Sequence, residues 1–102
     1  MIKHIVLFKA KDDVSNSEIE DLFRAMGELR HHLPGIMLYS SGKNVSEMGL
    51  NNGYTHAMTM DLVDDEFLEN VLLHPLHQNM VAKVKKLSAD NQPMLVFDYK
   101  II

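Results

Sequence analysis

Residues 2–10 read IKHIVLFKA, and their pattern is the most informative part of the sequence for the architecture. Its β-branched and aromatic residues favour a β-strand. Successive side chains of a strand point to opposite faces of the sheet. One face of this strand therefore carries Ile2, His4, Val6 and Phe8, while Ile5 and Leu7 lie on the other. A sheet covered by helices on one side normally alternates apolar with polar residues. Because both faces of this strand carry apolar residues, we predict that both faces of the sheet are covered.

A helix is predicted to follow over residues 15–33, SNSEIEDLFRAMGELRHHL. Ser15 stands three residues before Glu18, the spacing of a capping box. Apolar residues then recur at helical intervals. Pro34 and Gly35 are expected to stop this helix.

The remaining elements alternate strands and helices. Strands are predicted over residues 36–41 and over 54–63, YTHAMTMDLV, whose one face carries Tyr54, His56, Met58, Met60 and Leu62. A short helix begins near Asp64, and Pro75 suits the first turn of a further helix to about Leu87. Pro93 is expected to precede a last strand, MLVFDYKII.

The order strand, helix, strand, strand, helix pair, strand predicts an α+β fold. Split β-α-β halves of this kind form a ferredoxin-like, four-stranded antiparallel sheet with helices on one face. The length of 102 residues indicates one domain, residues 1–102. In the last strand, too, both faces are apolar. A bare apolar sheet face usually marks an interface, and a second copy is the simplest cover. The sequence therefore predicts a homodimer joined through the sheets, a dimeric α/β barrel.

Composition excludes several classes of function. The formal charge is −4 and the basic residues are scattered apart from Lys83, Lys85 and Lys86, which argues against nucleic-acid binding. The chain has no cysteine, so disulfides and thiolate catalysis are excluded. No apolar run approaches the ~20 residues of a membrane span. We expect a cytoplasmic protein that needs no cofactor and binds no membrane.

The segment VLLHPLHQNM, residues 71–80, carries the main chemical signal. Proline disfavours helical geometry in the residue before it, so His74 is predicted at a helix boundary and His77 in the first turn after it. A helix start disfavours positive charge. His77 is therefore expected to be neutral near pH 7, as a general base must be.

Two strand histidines extend this hypothesis. His4 and His56 lie on apolar strand faces, so His4, His56 and His77 are predicted to converge on one pocket on the helix side. The alternative is that each is a core histidine with a protein hydrogen-bond partner. A three-histidine metal site fits by ligand type, but no two of these residues have ligand spacing on one element, so no metal is expected.

The ordered motifs KHIVLFKAK, GYTHAMTM, HPLHQNM and VFDYK together resemble the stress-responsive A/B-barrel (Dabb) family along essentially the whole chain. This resemblance implies a dimeric α+β barrel. The family includes stress proteins and a polyketide cyclase, whose base corresponds to His77, with supporting histidines at His4 and His56. Val71 and Met26 stand where that cyclase has pocket tyrosines, and Tyr54 and His74 fall within the matching motifs. The resemblance therefore implies a ligand site formed by these four residues together with His4 and His56.

Three functions remain open from the sequence. The first is a dimer whose pocket binds a small apolar, carbonyl- or polyketide-like molecule, with His77 as base. The second is a stress-related structural dimer without chemistry. The third is a cofactor-less monooxygenase-like barrel enzyme, whose haem-degrading relatives share a tryptophan that this chain lacks. The sequence does not decide whether loop 42–53 shapes a pocket mouth.

Overall fold

A computed structural model describes residues 1–90 and 94–102 of the chain. The strands are β1 (Ile2–Phe8), β2 (Ile36–Lys43), β3 (His56–Leu62) and β4 (Leu95–Lys100). The helices are α1 (Asn16–Glu28), α2 (Asp65–Leu73) and α3 (Pro75–Leu87). The expected position of Pro93 before the last strand lies outside the described residues.

The four strands form one antiparallel sheet in the order β2-β3-β1-β4. The first strand of the chain thus lies between the third and the fourth. This is the ferredoxin-like arrangement, and the predicted fold class is confirmed. In the described part of the chain, no helix is long and apolar enough to span a membrane.

Local sequence signals set the helix ends. The Ser15 hydroxyl accepts a hydrogen bond from the Glu18 backbone N–H at 3.1 Å, which confirms the predicted cap of α1. The Asp64 carboxylate caps α2 in the same way, by accepting from the Phe67 N–H at 2.8 Å. The predicted end of α1 at residue 33 was too late. The helix ends at Glu28 and tightens into a 3₁₀ turn, Leu29–His31, before Pro34.

The core lies between the helices and the inner face of the sheet. Burial along β1 alternates strictly, with the even-numbered residues buried. The inner residues of β3 are buried as well, and they meet α1 and α3 through the side chains Ile19, Leu22, Phe23, Met26 and Val84. The predicted strand faces are therefore confirmed.

None of the helices in the described part of the chain covers the outer face of the sheet. Register places Phe97 beside Ile5, and Leu95 beside Leu7, in adjacent rows. Phe97 is 60% exposed, and its ring lies 6.4 Å from that of Tyr99. Lys3 and Asp61 form an ion pair at one end of this face. The chain alone thus leaves an apolar patch open to solvent, as the two-sided pattern of β1 predicted.

Candidate functional site

The two histidines of HPLH have different structural environments. His74 is extended, with φ −70° and ψ 135°, and joins α2 to α3, while Pro75 is the first residue of α3. The Nδ1 atom of His74 accepts a hydrogen bond from the Leu76 backbone N–H at 3.1 Å. His74 is therefore a helix cap, at the predicted boundary, and its imidazole is occupied there.

His77 lies one turn further along and points under the helix. It is 9% exposed and lines a cavity of about 190 Å³ between α3 and the inner face of the sheet, which we term the His77 cavity. His4 lines the same cavity from β1. Apart from these two imidazoles the lining is apolar, and it includes five of the eight methionines of the chain: Met26, Met58, Met60, Met80 and Met94.

Asp98 completes this group, and the sequence analysis did not single it out. His4 and Asp98 are cross-strand partners in the β1–β4 register, and the His4 Nδ1 atom pairs with the Asp98 carboxylate. His4 itself is only 2% exposed. Asp98 has the same strand parity as Met94 and Val96. The sequence therefore allowed the prediction that a carboxylate lies on the inner face of β4.

Two imidazole nitrogens in the cavity wall have no hydrogen-bond partner among the described residues. They are Nε2 of His4 and Nδ1 of His77, both buried, and their ring centroids are 6.1 Å apart. The His4 Nδ1–H donates to the Asp98 carboxylate, so Nε2 is the ring nitrogen left to contact a ligand. Buried polar atoms without a partner are rare and often mark functional sites. The pair is thus arranged to meet polar atoms of a small ligand.

The His77 imidazole is held neutral by its surroundings. Burial lowers the pKa of His77 from the ordinary 6.5, and the nearby His4 lowers it further, whereas the Leu72 backbone and Asp98 act in the opposite direction. This lowered pKa agrees with the expectation that His77 is neutral near pH 7. The physical cause is first of all desolvation of the charged form rather than the helix start.

The low pKa of His77 makes stability depend on pH. The unfolded chain binds a proton near pH 6.5 that folded His77 resists, so the free energy of unfolding should rise with pH through this window and fall on acidification. We expect His77→Gln to flatten this slope in urea unfolding between about pH 5 and 7.5. His32→Gln, at an exposed position, is the control and should keep the wild-type slope. Equal slopes in wild type and His77→Gln would contradict the burial argument.

His56 lies in a different place from the other two histidines. The β1–β3 register pairs His56 with Phe8, whereas His4 pairs with Met60. Four residues of strand therefore separate the His56 and His4 rows, about 13 Å. His56 stacks on Phe8 with ring centroids 5.4 Å apart and does not line the His77 cavity. The expected convergence of three histidines is corrected to two, His4 and His77.

Tyr54 also lies outside the cavity. Its backbone N–H bonds to the Asn51 carbonyl at 3.0 Å and the Asn51 side chain bonds back to its carbonyl, so Tyr54 belongs to the turn before β3. In residues 1–90 and 94–102, no group of three His, Cys, Asp or Glu side chains has the geometry of a metal site.

Comparison with known proteins places this geometry in a family. The sequence model described as "Stress responsive A/B Barrel Domain" (Dabb) matches residues 2–101. The chain belongs to the Dabb family. The stress-response A/B barrel domain-containing protein HS1 of Arabidopsis thaliana is 32% identical over 99 residues, 97% of this chain and 88% of that protein.

Two further similarities extend the Dabb comparison. Olivetolic acid cyclase of Cannabis sativa is 24% identical over 98 residues, 96% of this chain and 94% of the cyclase. A dimeric ferredoxin-like protein of unknown function from Jannaschia sp. superposes with a TM-score of 0.87 at 19% identity, with 98% of each chain covered. The latter similarity shows the fold.

The two remaining positions that were expected at the site, Val71 and Met26, have different placements. Val71 is fully buried in the core and does not line the cavity, whereas Met26 does. The Tyr39 hydroxyl approaches the Met26 sulfur at 3.9 Å from β2, but it donates to the Phe23 carbonyl at 2.8 Å. In this Dabb protein, the polar atoms that line the His77 cavity thus come from His4 and His77.

Proposed function

We propose that this Dabb protein is a homodimer whose His77 cavity binds a small apolar carbonyl compound, and that His77 removes a proton next to the carbonyl. The observation that carries the proposal is the pair of unpartnered imidazole nitrogens in an otherwise apolar cavity. Relatedness to a cyclase supports this chemistry, and the description of a similar protein as dimeric supports the assembly.

The size and lining of the cavity favour a ring-sized ligand. An engineered apolar cavity of about 150 Å³ binds benzene, and the His77 cavity has about 190 Å³. Methionine side chains are flexible and polarizable, so they adapt to ligands of different shape. A wall with five methionines therefore favours a range of related apolar ligands over one rigid shape.

The two histidines divide the polar contacts. His77 is neutral and buried, so the lone pair on its imidazole is available to take a proton from a carbon next to the ligand carbonyl. The His4 Nε2 atom forms a hydrogen bond with a hydroxyl or enol oxygen of the ligand. Asp98 orients this nitrogen by accepting a hydrogen bond from the other nitrogen of His4. A ligand with both a carbonyl and a hydroxyl group fits this pair.

The test uses 3-hydroxyacetophenone, which has a ring, a hydroxyl and an acetyl group. We expect the wild-type protein to exchange the methyl protons of the probe for deuterium in D₂O. His77→Gln should slow this exchange by on the order of 10²-fold or more, because a positioned base contributes about 10²–10⁴-fold. Proton NMR of the probe measures the rate. His32→Gln replaces an exposed histidine and should keep the wild-type rate.

Binding is followed separately, through ¹³C-methyl signals of methionine. Met58 and Met80 line the cavity, and their methyl signals should shift with the probe, while the signal of Met48, 76% exposed on the β2–β3 loop, should not.

Two outcomes would contradict the role of His77. Equal exchange rates in wild type and His77→Gln would rule out His77 as the base. A loss of about 1–3 kcal/mol in urea unfolding of His77→Leu, at matched protomer concentration, would favour a structural role instead.

A further inference from the structure

A second, larger concavity lies at the other end of the inner sheet face, between α1 and β2. This α1–β2 groove has a volume of about 450 Å³ and is lined by Ile19 and Phe23 of α1, Ser41 and Lys43 of β2, and His56 of β3, among others. No residue that lines it also lines the His77 cavity. It is therefore a separate place for a ligand.

The floor of the groove holds a buried imidazole with one free edge. His56 is 8% exposed and lies against the rings of Phe8 and Phe23, at centroid distances of 5.4 and 5.8 Å. Its Nδ1 atom lies 2.7 Å from the Thr55 hydroxyl oxygen. That oxygen also accepts from the Ala10 N–H at 2.9 Å. Because Nδ1 is engaged within the protein, Nε2 is the nitrogen left for a hydrogen bond with a ligand.

A cation lies directly across from this imidazole. Lys43 and His56 are partners in the β2–β3 register, which places their Cβ atoms about 4.5–5.5 Å apart. Burial lowers the pKa of His56, and the Lys43 charge lowers it further, so the imidazole stays neutral beside the ammonium group. Among the described residues, Lys43 forms no ion pair with an acidic side chain.

The other charged side chains of the groove determine which net charge on a ligand is favoured. Arg24 is engaged with Asp21 at 2.8 Å on the surface of α1. Glu20 also lines the groove and opposes a second negative charge. One unpaired ammonium and one nearby carboxylate thus favour a single negative charge on the ligand.

We infer that the α1–β2 groove binds a small hydroxy-monocarboxylic acid with an apolar body. The carboxylate pairs with Lys43, the hydroxyl forms a hydrogen bond with His56 Nε2, and the apolar body rests on Ile19 and Phe23. This site is independent of the proposed chemistry at His77. The inference concerns binding, and it requires no covalent step.

The test is a titration of the ¹⁵N-labelled protein with mandelate, followed by amide chemical shifts. We expect shifts at Ser41, Gly42 and Lys43, with unchanged methyl signals of Met58 and Met80 in the His77 cavity. Mandelamide, which lacks the charge, should bind about tenfold more weakly or worse. Phenylacetate, which lacks the hydroxyl, should bind severalfold more weakly.

Variants distinguish the local effect of the Lys43 charge from the effect of the net charge of the protein. Lys43→Gln should weaken mandelate binding by about tenfold, Lys43→Arg should restore it, and Glu20→Gln should strengthen it. Lys85→Gln, on the exposed side of α3, removes the same charge elsewhere and should leave binding unchanged. Equal affinity of wild type and Lys43→Gln, shifts confined to the His77 cavity, or no binding of mandelate would each overturn the inference.

Discussion

Phe97→Asp is expected to convert the proposed homodimer into monomers. Phe97 is 60% exposed on the outer face of the edge strand β4, in one row with Ile5. Burying a phenylalanine against a partner contributes about 1.5–3 kcal/mol. In a two-fold interface the same patch is used by both copies, so each substitution acts twice. An unpaired carboxylate in such an interface adds a desolvation cost.

Sedimentation velocity measures this result directly, at micromolar protein concentration. Leu73→Asp is the matched control, because Leu73 is a similarly exposed apolar residue, 73%, but lies at the end of α2 on the helix side. The control should stay dimeric. A Phe97→Asp protein that still sediments as a dimer would show that the copies join elsewhere.

Phe8→Ala should destabilise the protein by about 3–5 kcal/mol, the usual cost of removing a buried aromatic side chain. Phe8 is fully buried and ends the central strand β1. Its ring packs edge-on against Phe23, with centroids 5.9 Å apart, and stacks on His56. Both contacts are lost at once, and α1 then has less to pack against.

Urea unfolding at matched protomer concentration measures the loss. Phe67→Ala is the control, since Phe67 is only partly buried and lies against Gly35 beside the core. Phe67→Ala should lower the free energy of unfolding by clearly less than Phe8→Ala does. A Phe8→Ala loss no larger than that of Phe67→Ala would contradict the central position assigned to Phe8.

The sequence could predict the faces of the strands but not how they align. Parity alone assigned His4 to one face of β1 and His56 to one face of β3, and both assignments are confirmed. A slip of two residues between β1 and β3 would keep every side chain on its face. Because the observed register pairs His56 with Phe8, the histidine pair in the cavity could not be identified from parity.

Local signals were more informative at the helix ends. Ser15 and Pro75 act through their nearest neighbours in the chain, so the cap that Ser15 forms and the helix start at Pro75 were predictable. The partnership of His4 with Asp98 depends on two strands brought together by the whole fold. The same holds for the groove between α1 and β2, whose walls come from three elements.

The central place of β1 in the strand order has a consequence for how the chain folds. Its two neighbours, β3 and β4, are distant in sequence, and the residues that pair as His4 and Asp98 are 94 positions apart. Non-local strand pairs form slowly, because long loops must close before any pairing compensates for the lost chain entropy. On a ribosome, β1 emerges before its neighbours β3 and β4 and has both edges open, and unpaired strand edges invite aggregation. This strand is thus exposed to aggregation until both neighbours have been synthesised.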